Sequence, residues 1–112
     1  MRKLTILGLA IALPALHTLL AQNTPDKLAP YYPTPQLVVD KMLQLGGLKA
    51  GETMFDLGSG DGRIVIMAAQ KYKAKGIGVE FDESLAKQSE ARIKTLGLSN
   101  TARIIQIGRA HV

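Results

Sequence analysis

The stretch Asp56-Leu57-Gly58-Ser59-Gly60-Asp61-Gly62-Arg63 constrains this chain more than any other part of it. Glycines at alternate positions suit neither a helix nor a strand. They suit a loop that must turn through left-handed conformations and let a ligand approach the main chain closely. On one side of the loop, Thr53 to Leu57 is short, apolar and bounded by glycine, the pattern of a strand buried in a parallel sheet. On the other side, Ile64 to Ala69 continues as a helix that ends near Lys73. Strand, glycine loop and helix in that order make a nucleotide-type pocket. The loop alone is a weak signal, but Glu80 stands 20 residues after Gly60, at the end of the next strand, where a carboxylate can accept the hydroxyls of a ribose. The pair is far more specific than either feature.

The flanking segments extend the pattern. Thr34-Pro35 reads as an N-cap followed by proline in the first helical turn, with Leu37, Val38, Met42, Leu43 and Leu45 as the apolar face and Gly46-Gly47 as the stop. Gly76-Ile77-Gly78-Val79 is a second strand, closed by Glu80. Asp82, Glu83 and Ser84 put capping and acidic groups at the start of the next helix, with Leu85, Ala86, Ile93 and Leu96 as its buried side and Gly97 as its end. Ala102 to Gln106 is a third strand. Strands and helices alternating at this spacing predict right-handed crossovers and an α/β, Rossmann-like, doubly wound parallel sheet, truncated after about three strands.

Three nucleotide classes compete for the pocket. A P-loop is excluded, because no Gly-Lys-Ser/Thr follows the glycines. A dinucleotide fingerprint needs G-x-G-x-x-G, and counting from Gly58 and Gly60 puts Arg63 where the third glycine belongs. A pyrophosphate beside Asp61 also meets like charge, a penalty of up to about 4 kcal/mol for unit charges 4 Å apart at an effective dielectric of 20. S-adenosylmethionine carries no phosphate but has a sulfonium and an ammonium group, which Asp56 and Asp61 attract. It is the expected cofactor. An NAD-dependent oxidoreductase and a noncatalytic nucleotide-binding module are the rival readings.

Asp56 to Gly62 resembles motif I of the class I S-adenosylmethionine-dependent methyltransferases, and Glu80 resembles the acidic residue of their second strand, over roughly residues 31 to 106. The longer string Asp56 to Ile66, with Tyr32-Pro33-Thr34-Pro35 upstream, is similar to the lysine N-methyltransferases of the ATP synthase c subunit and the adenine nucleotide translocase. Small bacterial methyltransferases of unknown substrate share it. The resemblance implies that Gly58, Gly60 and Gly62, with Ser59 among them, pass under the methionine part of the cofactor. It implies that Asp56 and Asp61 hold the amino group directly or through water, and that Glu80 holds the ribose. Tyr32 and Thr34 then close the pocket from the N-terminal side. Plainer roles stand beside these: Asp56 as a loop cap, Arg63 as the ion-pair partner of a nearby carboxylate, Tyr31 or Tyr32 as packing. The methyl acceptor is a protein lysine or a small molecule. The groups that select it normally follow the fourth strand, so no catalytic residue is assigned, and no metal is expected. Methyl transfer is an in-line displacement at a carbon the sulfonium has already activated, which leaves the protein mainly positioning and, where needed, deprotonation of the nucleophile.

Composition mostly excludes. The formal charge of +5 owes three of its units to Arg2, Lys3 and Arg109 at the ends of the chain, and two Phe, three Tyr and no Trp give no basic-aromatic interleaving, so no nucleic acid is expected as a partner. Without cysteine there are no disulfides and no thiolate metal sites. Met1-Arg2-Lys3 followed by the apolar run Leu4 to Leu20 has the order of a secretory signal. Ala21 offers a cleavage residue, and Leu19, bulkier than signal peptidase prefers, sets an uncleaved anchor in competition with cleavage. Residues 1–21 are therefore expected to be a signal peptide or signal anchor, 22–33 a linker and 34–106 the N-terminal half of the domain. Export to the periplasm or membrane anchoring through the leader follows, although a cofactor made in the cytosol keeps a cytosolic domain in play. Ile107 to Val112 breaks the pattern and resembles the translation of a sequencing adapter, so 107–112 are expected to be a foreign tail and the fragment itself inactive.

Overall fold

The computed structural model describes residues 30–108, so the expectations for the leader, for the linker before Pro30 and for the tail from position 109 lie outside the described residues. Six elements follow in order: α1 (Gln36–Leu45), β1 (Thr53–Leu57), α2 (Arg63–Gln70), β2 (Lys75–Glu80), α3 (Glu83–Thr95) and β3 (Ala102–Gln106). The strands form one parallel sheet in the order β1-β2-β3. Thr53 to Leu57 face Lys75 to Val79, and Gly76 to Glu80 face Ala102 to Gln106. This is the α/β, Rossmann-like sheet of three parallel strands that the alternation predicts.

The middle strand explains how the layers fit. Side chains alternate across a strand, so Gly76, Gly78 and Glu80 share one face, and all three are buried. A Cβ on Gly76 would lie 2.8 Å from the carbonyl oxygen of Val65, and one on Gly78 would lie 2.5 Å from Ser59 Oγ. The glycines of β2 thus let the start of α2 and the preceding loop lie flush on the sheet. Gly62 does the same for α3, since a Cβ there would come 2.9 Å from the Cβ of Ser89.

Two apolar clusters hold the helices on that face. Val65, Ile66 and Ala69 of α2 pack with Ile93 of α3 and Ala102 of β3, while Val39 and Leu43 of α1 pack with Ala68 and Ala74. Asp40 clips α1 to the far end of α2, accepting from Lys71 Nζ at 2.6 Å and from Tyr72 Oη at 2.7 Å. Both crossover helices lie on this one face. On the other, Phe55, Leu57 and Ile105 are exposed, and none of the described residues covers them. Among the described residues, no helix is long and apolar enough to cross a membrane.

Three local expectations need correction. Pro35 is itself the N-cap of α1, its carbonyl accepting from the N–H groups of Val38 and Val39, and Thr34 caps nothing. The buried side of α1 is Val39 with Leu43, an i,i+4 pair, whereas Leu37, Val38, Met42 and Leu45 are exposed. In α3 the buried residues are Ala86, Ser89 and Ile93, and Leu96 is exposed. Tertiary contact chose among apolar stripes that the helical period alone left equivalent. The N-cap of α3 is as expected, with Asp82 Oδ1 accepting from Leu85 N at 3.0 Å.

Because the neighbour at Gly76 is backbone and cannot yield, Gly76→Ala is expected to destabilise the chain by about 2–3 kcal/mol, the upper part of the overpacking range. Gly108→Ala, where a Cβ meets nothing, should stay within about 0.5 kcal/mol. Urea unfolding of the two variants side by side checks the contrast.

Candidate functional site

The glycine loop leaves the carboxyl end of β1 and enters α2, and Gly58, Gly60 and Gly62 all carry positive φ, at 80°, 56° and 79°. The conformation is held by the loop's own N–H groups. Gly58 and Ser59 both donate to the carbonyl of Val79, at 2.7 and 3.0 Å, and Gly62 donates to the carbonyl of Ser59 at 2.9 Å. Gly60 donates to Glu80 Oε1 at 2.8 Å. Asp61 donates to Tyr31 Oη at 3.3 Å, and Arg63 donates to Asp61 Oδ1 at 3.2 Å. Every N–H from Gly58 to Arg63 therefore has a protein acceptor. A loop that cradles phosphate must offer such donors outward. This one offers none, so the loop is not a dinucleotide or P-loop cradle.

Glu80 is buried at the end of β2, and its Oε2 also accepts from Phe81 N at 2.7 Å and Asp82 N at 3.1 Å. A carboxylate has about four lone-pair positions. Three are occupied, which leaves one on Oε1 beside Gly60. The side chain of Asp56 makes no hydrogen bond among the described residues. Burial, and then the neighbouring charge of Glu80, raise its carboxyl above the ordinary value of 3.8. Asp61 is in the opposite condition. Arg63 forks onto it with Nε at 3.0 Å and Nη2 at 2.7 Å, and those hydrogen bonds hold its carboxyl below the usual range. Arg92 adds a looser contact at 3.8 Å.

Tyr31, Tyr32, Thr34, Asp56, Gly58, Ser59, Gly60 and Asp61 line one cleft of about 60 Å³. Gly62 packs behind the loop against Ser89, and Glu80 reaches the loop from beneath. Within the cleft the side chains differ in what they present. Ser59 Oγ is buried, has no partner among the described residues and points at Gly78 rather than outward. Nothing lies within 4 Å of a Cβ built on Gly58, so the main chain there is open. Tyr32 is 82% exposed, whereas the Tyr31 ring lies on Gly60, 2.7 Å from where a Cβ would be. Thr34 contributes its carbonyl, which accepts from Arg63 Nη1 at 2.9 Å. Sequence reasoning missed that contact and the placement of Tyr31. Nothing in the spacing marks either, since both depend on how the segment before α1 folds back across the loop.

A parallel sheet opening a glycine loop without phosphate donors onto an acidic cleft is the cofactor-side architecture of the class I S-adenosylmethionine-dependent methyltransferases. Residues 35–110 match the family described as Mycolic acid cyclopropane synthetase, and the chain belongs to this methyltransferase family, whose cofactor is S-adenosylmethionine. Over 78 residues it is 37% identical to the Protein-lysine N-methyltransferase of Saccharolobus islandicus, covering 69% of this chain and 48% of that protein. The structure of an RNA methyltransferase from Salinibacter ruber in complex with S-adenosyl-L-homocysteine superposes with a TM-score of 0.67 at 42% identity, covering 69% of this chain and 50% of that one. A SAM-dependent methyltransferase from Thiobacillus denitrificans, with a TM-score of 0.63 at 22% identity over 72% of this chain and 33% of that one, shares the fold alone. The chain spans about half the length of the first two relatives.

The unpaired carboxylate of Asp56 sets a pH dependence. Its raised carboxyl holds a proton more tightly folded than unfolded. The stability this gives is complete below pH 3.8 and is lost as the pH rises through the folded value. Asp56→Asn is therefore expected to melt higher than the native chain at pH 7, with the difference shrinking toward zero as the pH falls to 3.8. Melting curves across that interval check the sign. Glu80→Ala, by contrast, strands three N–H donors and is expected to cost on the order of 3 kcal/mol or more. Faster hydrogen exchange at the Gly60 amide should accompany the loss.

Proposed function

We propose that this chain carries the cofactor-binding part of an S-adenosylmethionine-dependent methyltransferase whose acceptor is the amine of a protein lysine. The observation that carries the cofactor reading is that five of the six loop N–H groups from Gly58 to Arg63 have acceptors in the loop or β2, Asp61 N alone reaching Tyr31, which suits a nucleoside ligand without phosphate and disfavours NAD. The donor set fits the cofactor. Asp56 is the carboxylate in the cleft still without a partner, and a cationic amino group beside it would offset both its burial and the repulsion from Glu80. One lone pair of Glu80 Oε1 remains to accept a ribose hydroxyl in this reading, and the open main chain at Gly58 would allow close contact. When bound, the cofactor supplies a methyl carbon activated by its sulfonium. The cleft residues of this chain orient that carbon, and the acceptor amine is the nucleophile.

The lysine acceptor is supported by the 37% identity to a protein-lysine N-methyltransferase. RNA is the second reading, favoured by the 42% identity to the Salinibacter ruber enzyme.

Calorimetric titration of the chain with S-adenosylhomocysteine, using NADH as control, is expected to show micromolar binding of the first and none of the second. NADH binding, or binding of neither, overturns the cofactor reading. For the acceptor, tritiated S-adenosylmethionine is offered with lysine peptides, their acetylated counterparts and RNA, using the domain completed to the length of its relatives. Label on unblocked lysine alone is the expected result, and label on RNA alone replaces lysine with RNA.

A further inference from the structure

Among the described residues, little holds the segment from Tyr31 to Thr34, which lies along the cleft. No backbone hydrogen bond joins Tyr31, Tyr32, Pro33 or Thr34 to the sheet, and two bonds tie the segment to the loop: Asp61 N to Tyr31 Oη at 3.3 Å, and Arg63 Nη1 to the Thr34 carbonyl at 2.9 Å. Both converge on one ion pair, since Arg63 also grips Asp61 through Nε and Nη2. The tyrosine ring lies against the glycine loop that lines the cleft. Its Cε2 lies 2.7 Å from a Cβ position on Gly60, which is van der Waals contact with the loop's main chain. The cleft is about 60 Å³, against the roughly 300–1,000 Å³ of pockets that hold small molecules.

We propose that the segment from Tyr31 to Thr34 is an occluding lid, that Arg63 is the positioning residue that latches it, and that the ring of Tyr31 must leave Gly60 before a cofactor binds. The inference rests on the proposed use of the cleft. It differs from a flap that grips bound ligand, because here the closed lid and the ligand compete for the same surface. Arg63 suits the role chemically. Its planar fork holds Asp61 with two nitrogens and leaves the third free for a carbonyl, which a lysine's single ammonium cannot reproduce in the same geometry. Competition of this kind reduces apparent affinity by the fraction of molecules that are open, so releasing the latch speeds association.

The chain has three tyrosines, which makes fluorine NMR of 3-fluorotyrosine-labelled protein a direct test, with resonances assigned by Tyr→Phe substitution. In the ligand-free chain, Arg63→Met is expected to move the Tyr31 signal toward that of exposed Tyr32. Tyr72, bonded to Asp40 on the other side of α1, should not move. A general loss of folding shifts all three, so the pattern separates latch from scaffold. Titrating the native chain with S-adenosylhomocysteine should move Tyr31 in the same direction. Stopped-flow association should be about fivefold faster or more in Arg63→Met. Tyr31→Ala should accelerate association equally and leaves Arg63 in place should the first variant not fold. A Tyr31 signal indifferent to Arg63→Met, saturation that leaves Tyr31 on Gly60, or variants that change only dissociation would each overturn the lid. Failure of S-adenosylhomocysteine to bind native and variant chains alike removes the cofactor reading and, with it, the occluding role, while the Tyr31 signal in Arg63→Met still decides the latch.

Discussion

The carboxylate of Glu80 organises the ligand end of this structure. It stands at the end of the central strand, whose backbone is paired on both sides, so its position is set by two ladders. From there it takes the N–H groups of Gly60, Phe81 and Asp82, joining the glycine loop to the turn that starts α3. A buried carboxylate with three charge-assisted bonds is well satisfied, and removing it would leave donors stranded out of water. Glu80 thus supplies the carboxylate beneath the cleft and, with the Val79 carbonyl, ties the glycine loop to β2.

Once the loop is tied in this way, its chemistry is limited by what remains free. Its N–H groups all have acceptors and the charge of Asp61 is neutralised by Arg63, so among the described residues Asp56, the last lone pair of Glu80 and the exposed hydroxyl of Tyr32 are the polar side-chain functions left in or beside the cleft. The two carboxylates in that set favour a cation and a hydroxyl over a phosphate. Asp56 is half-buried, and its carboxylate has no partner among the described residues. Its burial and the nearness of Glu80, which cost stability when the cleft is empty, are the conditions under which a cationic group is held most strongly.

Most of the fold was legible in order and kind. The strand bounds Thr53–Leu57 and Ala102–Gln106, the Asp82 cap and the parallel arrangement follow from short apolar runs, glycine punctuation and the strand-helix alternation. Of the residues expected at the site, Tyr32, Thr34, Asp56, Gly58, Ser59, Gly60 and Asp61 line one cleft, while Gly62 packs behind the loop and Glu80 reaches it from beneath. Orientation was not. Ser59 turns inward to Gly78, Thr34 offers a carbonyl instead of capping α1, and Tyr31 rather than Tyr32 meets Gly60. Leu37 and Leu45 look like core from their spacing, yet Val39 and Leu43 are the residues that meet α2.

The sequence by itself determined the alternation of strands and helices, the glycine loop and the acidic residue that answers it, because each depends on local backbone preference or on spacing within one crossover. Only the tertiary structure decided which apolar stripe is buried, which glycines of β2 are there to let α2 lie flush, and where each polar side chain spends its hydrogen bonds. Those choices depend on partners 20 to 32 positions away, such as Gly60 with Glu80, Thr34 with Arg63 and Asp40 with Tyr72. A one-dimensional pattern records which groups a chain possesses, but a group is satisfied or left free by distances and angles, and these exist only after the sheet and helices have closed on one another.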